Sequence, residues 1–226
     1  MLQQHDGSID LRMSIAHPVN NGSPSTEEVI DFFLRQRGMR ITSIPLDMDV
    51  IQYRGLARNV QLEASTADWI LFSDADMVFD PWLFRDLIYD LEGPLRNERR
   101  VISARRISLD KDHCKQWFNT MDPFRYPCEV PAAAFRVSNW PVYQISRNCG
   151  AGYFQLVNRQ YILDRFGWYV YPAANNDRPW KKGQKAASDI QFRRMVGGVK
   201  KINTRPMYHL NHERDKEEGH HLTCQR

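Results

Sequence analysis

No stretch of this chain approaches the roughly 20 apolar residues that a membrane span requires. The opening residues, Met1-Leu2-Gln3-Gln4-His5-Asp6, are polar and lack the apolar region of a secretory signal. The four cysteines, Cys114, Cys128, Cys149 and Cys224, form no Cys-x-x-Cys pair for structural zinc. They are also too sparse for the disulfide framework of a small secreted domain, so reduced thiols in a cytoplasmic protein are expected. No internal repeat and no low-complexity segment is present. The net charge of +4 is mild and gives no nucleic-acid signature, although it suits an anionic ligand such as a nucleotide diphosphate. The adjacent basic pairs, Arg99-Arg100, Arg105-Arg106, Lys181-Lys182 and Lys200-Lys201, read as solvated surface. Peripheral attachment to a membrane would leave none of these marks and stays open.

What is present fits one sizeable globular core: 226 residues, with 42% hydrophobic and 26% charged. Leu11–Val19 reads as a strand, followed by a turn rich in Asn, Gly, Ser and Pro. A helix is expected from about Glu27 to Arg37, because Ser25 and Glu28 have capping-box spacing ahead of Val29, Ile30, Phe32, Phe33 and Leu34. Ile41–Leu46 is a second strand, and Arg54–Ser65 a helix carrying Leu56, Val60 and Leu62. Asp80-Pro81 supplies an N-cap and first-turn proline for a helix that Gly93-Pro94 ends. Val101–Ala104 is a further strand. Strands alternating with helices predict a three-layer α/β/α domain with a mainly parallel sheet. Beyond it, aromatic segments at Trp117–Tyr143 and Trp168–Trp180 have the makeup of a binding cleft or of rings covering a sheet. The charged run Glu213–His221 reads as a solvated tail or short helix.

The run Trp69-Ile70-Leu71-Phe72-Ser73-Asp74-Ala75-Asp76 carries the most information. A short continuous apolar run marks a strand buried on both faces, which places two carboxylates at its C-terminal end. Ligands of open α/β sheets gather beyond such ends. Two aspartates there suit a hard divalent cation whose coordination is completed by a substrate diphosphate. The simpler alternative is a solvated turn, in which aspartate is common.

With these residues in view, the chain resembles glycosyltransferases of the GT-A fold, and most nearly the inverting family 2 and its relatives. The resemblance runs in order through Asn20-Asn21-Gly22-Ser23, Arg54-Gly55-Leu56-Ala57-Arg58-Asn59, the strand ending in Asp74-x-Asp76, Gly150-Ala151-Gly152 and Ser188-Asp189. It covers roughly Leu11 to His212. It implies a single GT-A domain over 1–226, with a donor half to about 105, an acceptor and catalytic half to about 212, and a tail over 213–226. The family places a further strand before the Asn-Gly-Ser turn. Either that strand has been truncated ahead of Leu2-Gln3-Gln4, or Leu11–Asn21 serves in its place.

The resemblance also implies site roles. Asp76, helped by Asp74, contacts Mn²⁺ or Mg²⁺, and a late imidazole from His209 or His212 joins them. Asp189, at a helix start where negative charge is stabilised, is the base that takes the acceptor proton. The family has Glu-Asp where this chain has Ser188-Asp189. Arg54, Arg58 and Asn59 line the donor site, and Gly150 and Gly152 let backbone approach the sugar. Pro172–Lys185 has the makeup of a closing lid, in which Trp180 stacks on a sugar ring. The implied donor is a nucleotide-diphosphate sugar, a UDP-sugar first, and the acceptor a saccharide or glycoconjugate hydroxyl, as in polysaccharide biosynthesis. Two other readings compete. A sugar-1-phosphate nucleotidyltransferase also uses a metal-binding aspartate, but its Gly-rich N-terminal signature is absent. A non-catalytic carbohydrate-binding fragment would bind donor and metal without turnover. A haloacid-dehalogenase-type phosphatase fits poorly, because Met77 stands where Thr or Val is wanted.

Overall fold

The computed structural model describes residues 12–19, 25–37, 40–80, 82–120, 141–145, 152–169 and 188–211. The chain is a mixed α/β protein. The first strand, β1 (Met13–Pro18), pairs in parallel with β2 (Ile41–Leu46), and α1 (Thr26–Arg37) crosses between them. The capping box forms as the spacing predicts. Ser25 Oγ accepts from the Glu28 backbone N–H at 3.2 Å, and Glu28 Oε2 accepts from the Ser25 N–H at 2.6 Å. A short helix, α2 (Met48–Gln52), precedes α3 (Arg54–Ala64). The Gln61 amide of α3 donates to the Ser14 carbonyl at 3.0 Å, which ties α3 to β1.

The next elements are β3 (Trp69–Phe72), β4 (Met77–Phe79), α4 (Leu83–Glu92), β5 (Val101–Ser103), β6 (Ile107–Leu109), α5 (Lys111–Thr120) and β7 (Val142–Ile145). Those that follow are β8 (Gln155–Asn158), α6 (Arg159–Arg165), α7 (Ser188–Met195), β9 (Val199–Lys201) and β10 (Met207–His209). The expected cap is displaced: Asp80 Oδ1 accepts from the Trp82 N–H at 2.9 Å, but the helix begins at Leu83 and Trp82 is its N-cap. Pro81 lies outside the described residues, as do the Asn20–Ser23 turn, residues 121–140 and the tail. At the far end of α6, Gly167 takes φ +77° and its N–H donates to the carbonyls of Ile162 and Leu163, both at 3.0 Å. That is the left-handed helix stop that glycine permits.

Among the described residues two four-stranded sheets follow β1 and β2, in the orders β3-β8-β5-β9 and β4-β10-β6-β7. The first is covered on both faces. Trp69 and Leu71 pack into a cluster with Leu83, Phe84, Leu87 and Leu91 of α4. Ile70 and Phe72, the alternate positions, pack into a second cluster with Leu62 of α3, Ile162 of α6 and Phe192 of α7. Alternation along the strand thus sends successive side chains into two cores. Each fully buried Leu or Phe there contributes about 1.5–3 kcal/mol of apolar transfer energy.

The mainly parallel sheet expected from the sequence is corrected. Among the described residues β1–β2, β5–β9 and β6–β10 are parallel, whereas β3–β8, β5–β8, β4–β10 and β6–β7 are antiparallel. An apolar run reports that both faces of a strand are covered. It carries no information about the direction of the neighbouring strands, and here late segments of the chain run back against β3 and β4. No helix among the described residues is long and apolar enough to cross a membrane.

Candidate active site

The antiparallel neighbours are what assemble the site. Because β8 runs against β3, with Phe72 opposite Gln155, the residues entering β8 lie beside those leaving β3. Ser73 Oγ donates to the Tyr153 carbonyl at 2.9 Å, which pins Gly152-Tyr153 against Ser73-Asp74. Because β10 runs against β4, with His209 opposite Met77, the end of β10 meets the residue before β4, Asp76. The Leu210 N–H donates to the Asp76 carbonyl at 2.9 Å. His209 Nε2 lies 3.0 Å from Asp76 Oδ2.

On the other side of Asp74 lies a buried polar cluster. Arg58 is only 6% exposed, unlike an ordinary helix-surface arginine. Its Nη1 donates to Gln155 Oε1 at 3.2 Å, to the Tyr169 hydroxyl at 2.5 Å and to Asp189 Oδ1. Its Nη2 donates to the Gly152 carbonyl at 3.1 Å and lies 3.9 Å from Asp74 Oδ1. The Tyr169 hydroxyl lies 2.9 Å from Asp189 Oδ1 and also meets Gln155 Oε1. The Tyr169 N–H donates to Asn59 Oδ1 at 2.6 Å, so Asn59 holds the segment that carries the phenol. The Tyr169 ring stacks on Phe192 with centroids 3.9 Å apart and meets Phe72 edge-on at 5.0 Å.

Electrostatics follow from this packing. Burial works against the Arg58 charge, but Tyr169, Asp189 and Asp74 outweigh it and hold the guanidinium above its ordinary pKa. Burial pushes the Tyr169 phenol up, so it stays a neutral donor. Burial also raises Asp74, opposed by Arg58 and Arg54 and reinforced by Asp76 and Asp189. Among the described residues, Arg58, Arg54, Asp76 and Asp189 thus lie within electrostatic reach of Asp74.

Gly152 has a definite steric role. A Cβ there would collide with Asp189 Oδ2, and it would lie 2.9 Å from Asp189 Cγ and 3.0 Å from Arg58 Nη2. The close approach expected of this glycine is thus to the Arg58–Asp189 pair.

Of the residues singled out from sequence, the fold gathers Arg58, Asn59, Asp74, Gly152 and Asp189, sets Asp76 against His209, and leaves Arg54 exposed within electrostatic reach of Asp74. Gly150, Trp180, the Pro172–Lys185 segment and His212 lie outside the described residues. Among the described residues no group of three or more His, Cys, Asp and Glu side chains converges as a metal cage. The oxygen and imidazole pair of Asp76 and His209 still suits Mn²⁺ or Mg²⁺ when a diphosphate and water supply the remaining donors. Cys114 is a buried free thiol.

Sequence reasoning missed Gln155 and gave Tyr169 no role. The signal was there for the first: a lone amide in the apolar run Tyr153-Phe154-Gln155-Leu156-Val157 needs a buried partner. Arg58 carried the same signal, falling four residues before Leu62 on the buried face of α3. Searches against known protein families and against curated proteins give no match to this chain.

Proposed function

We propose that this chain is a metal-dependent glycosyltransferase of the GT-A type, inverting in stereochemistry, that moves a sugar from a nucleotide diphosphate to a saccharide or related hydroxyl. The observation that carries the reading is the placement of His209, late in the chain, 3.0 Å from Asp76 in the turn between β3 and β4. A solvated Asp-x-Asp turn has no need of a late histidine delivered by its own strand.

In this reading Asp76 and His209, with Asp74 assisting, would hold Mn²⁺ or Mg²⁺, whose Lewis acidity offsets the charge on the departing diphosphate. Asp189 takes the proton of the acceptor hydroxyl as its oxygen attacks C1 of the sugar. The C1–O bond to the diphosphate breaks, and its electron pair leaves with the diphosphate. Among the described residues, Asp189 Oδ1 is engaged by Arg58 and Tyr169 whereas Oδ2 takes no hydrogen bond, so Oδ2 is the proton-accepting oxygen.

The test is release of nucleoside diphosphate from UDP-, GDP- and TDP-sugars with Mn²⁺ and a panel of saccharide acceptors, for wild type and His209→Ala. Acceptor-dependent release that is lost in the variant supports the reading. Release of pyrophosphate from a nucleoside triphosphate and a sugar-1-phosphate would replace it with nucleotidyl transfer, and inertness towards every donor would contradict both.

A further inference from the structure

Around Asp189 the described residues bring three hydrogens and three oxygens together. Arg58 Nη1 carries two hydrogens and the Tyr169 hydroxyl one, and three oxygens lie within their reach: Asp189 Oδ1, Gln155 Oε1 and Tyr169 Oη. Gln155 and Tyr169 are fully buried, so their polar atoms need partners inside the protein. The single Tyr169 proton has two acceptors available, Asp189 Oδ1 and Gln155 Oε1. While Asp189 is charged, it is the stronger acceptor. Once Asp189 gains a proton on Oδ2, Oδ1 weakens as an acceptor, and the phenol can turn to Gln155 without losing a hydrogen bond.

We propose that Tyr169 and Gln155 are positioning residues for Asp189: with Arg58 they fix Oδ1, present Oδ2 beside Gly152 to the acceptor hydroxyl, and re-pair when the proton arrives. This rests on the reading of Asp189 as the base. The only covalent change at these residues is the proton moving from the acceptor oxygen to Asp189 Oδ2; Tyr169 keeps its proton and changes partner. Among the described residues, the groups around Asp189 are Arg58 from α3 and Tyr169 from the segment after α6, both on the carboxylate, Gln155 from β8, whose amide donates to the Asp189 backbone carbonyl, and, at longer range, Asp74 from the turn after β3.

Two variants separate this role from a merely structural one, because they act in opposite directions. Tyr169→Phe keeps the ring stacked on Phe192 and removes one donor to the charged carboxylate. The Asp189 carboxylate, followed by carbonyl-carbon NMR of labelled aspartate across a pH series and assigned with Asp189→Asn, should have a midpoint above that of wild type. Gln155→Met removes the competing acceptor and leaves the phenol to Asp189 alone, so the midpoint should fall. If transfer is observed, Tyr169→Phe should lower kcat roughly tenfold or more with donor KM nearly unchanged. Midpoints that stay put, or that move in the same direction in both variants, overturn the proposal. The titration needs no donor or acceptor, so a failure of the transferase reading shows separately, as wild-type protein that gives the opposed shifts but no transfer.

Discussion

Replacing Arg58 by Met should cost this protein more stability than any other single polar substitution at the site. The guanidinium is 6% exposed, and its four acceptors are Gln155, Tyr169, the Gly152 carbonyl and Asp189. Without it, the Asp189 side chain, itself 14% exposed, keeps among the described residues only the Tyr169 hydroxyl as a donor to its carboxylate. Removing one partner of a buried ion pair costs about 3–5 kcal/mol, mostly because the other charge stays buried and uncompensated. A chain of this size has a urea dependence of roughly 2–3 kcal/mol per molar, so the midpoint should drop by about 1–2 M. The thermal midpoint should fall by about 10 °C, at roughly 2–4 °C per kcal/mol. Both are readable by tryptophan fluorescence. The double variant Arg58→Met with Asp189→Leu removes both charges and should recover much of the loss, with a coupling of about 2–3 kcal/mol. A single-variant loss under about 1 kcal/mol, or a double variant no better than the sum of the singles, would refute the buried-pair account.

Other outcomes follow from the same geometry. Gly152→Ala forces a methyl against the Arg58–Asp189 pair and should cost about 1–3 kcal/mol in urea unfolding; full stability would mean the pair moves aside freely. Asp189→Asn should retain metal-dependent binding of nucleoside diphosphate and lose transfer, and continued transfer at the wild-type rate would remove Asp189 as the base. Hydrogen bonding from Arg100 holds the Glu98 carboxyl down to about 2 from an ordinary 4.5, so its stabilisation is present above pH 4.5 and lost as pH falls towards 2. Over that interval the urea midpoint of wild type should fall further than that of Glu98→Gln, and parallel curves would show the interaction to be silent.

Local structure was legible wherever local chemistry decides it. The Ser25–Glu28 box and the Ile41–Leu46 strand are written within a few residues, and each forms as its spacing requires. The direction of pairing was not legible. Trp69–Phe72 reads the same whether β8 runs with it or against it, and that choice depends on residues more than eighty positions later. The site divides in the same way. Asp74, Asp76 and Asp189 were visible as acids at element ends, and His209 through the resemblance. The partners that fix their geometry, Gln155 and Tyr169, come together only through long-range packing. Arg58 was legible in part, since the buried face of α3 runs through Gly55, Arg58 and Leu62.

The most direct test of the central claim is calorimetric titration of UDP, GDP and TDP, with and without Mn²⁺, into wild type, Asp76→Ala and His209→Ala. Tight binding of one diphosphate that requires Mn²⁺ and both side chains is the predicted result. Binding that ignores the metal, or that survives loss of Asp76 and of His209, would contradict a donor site built on that pair.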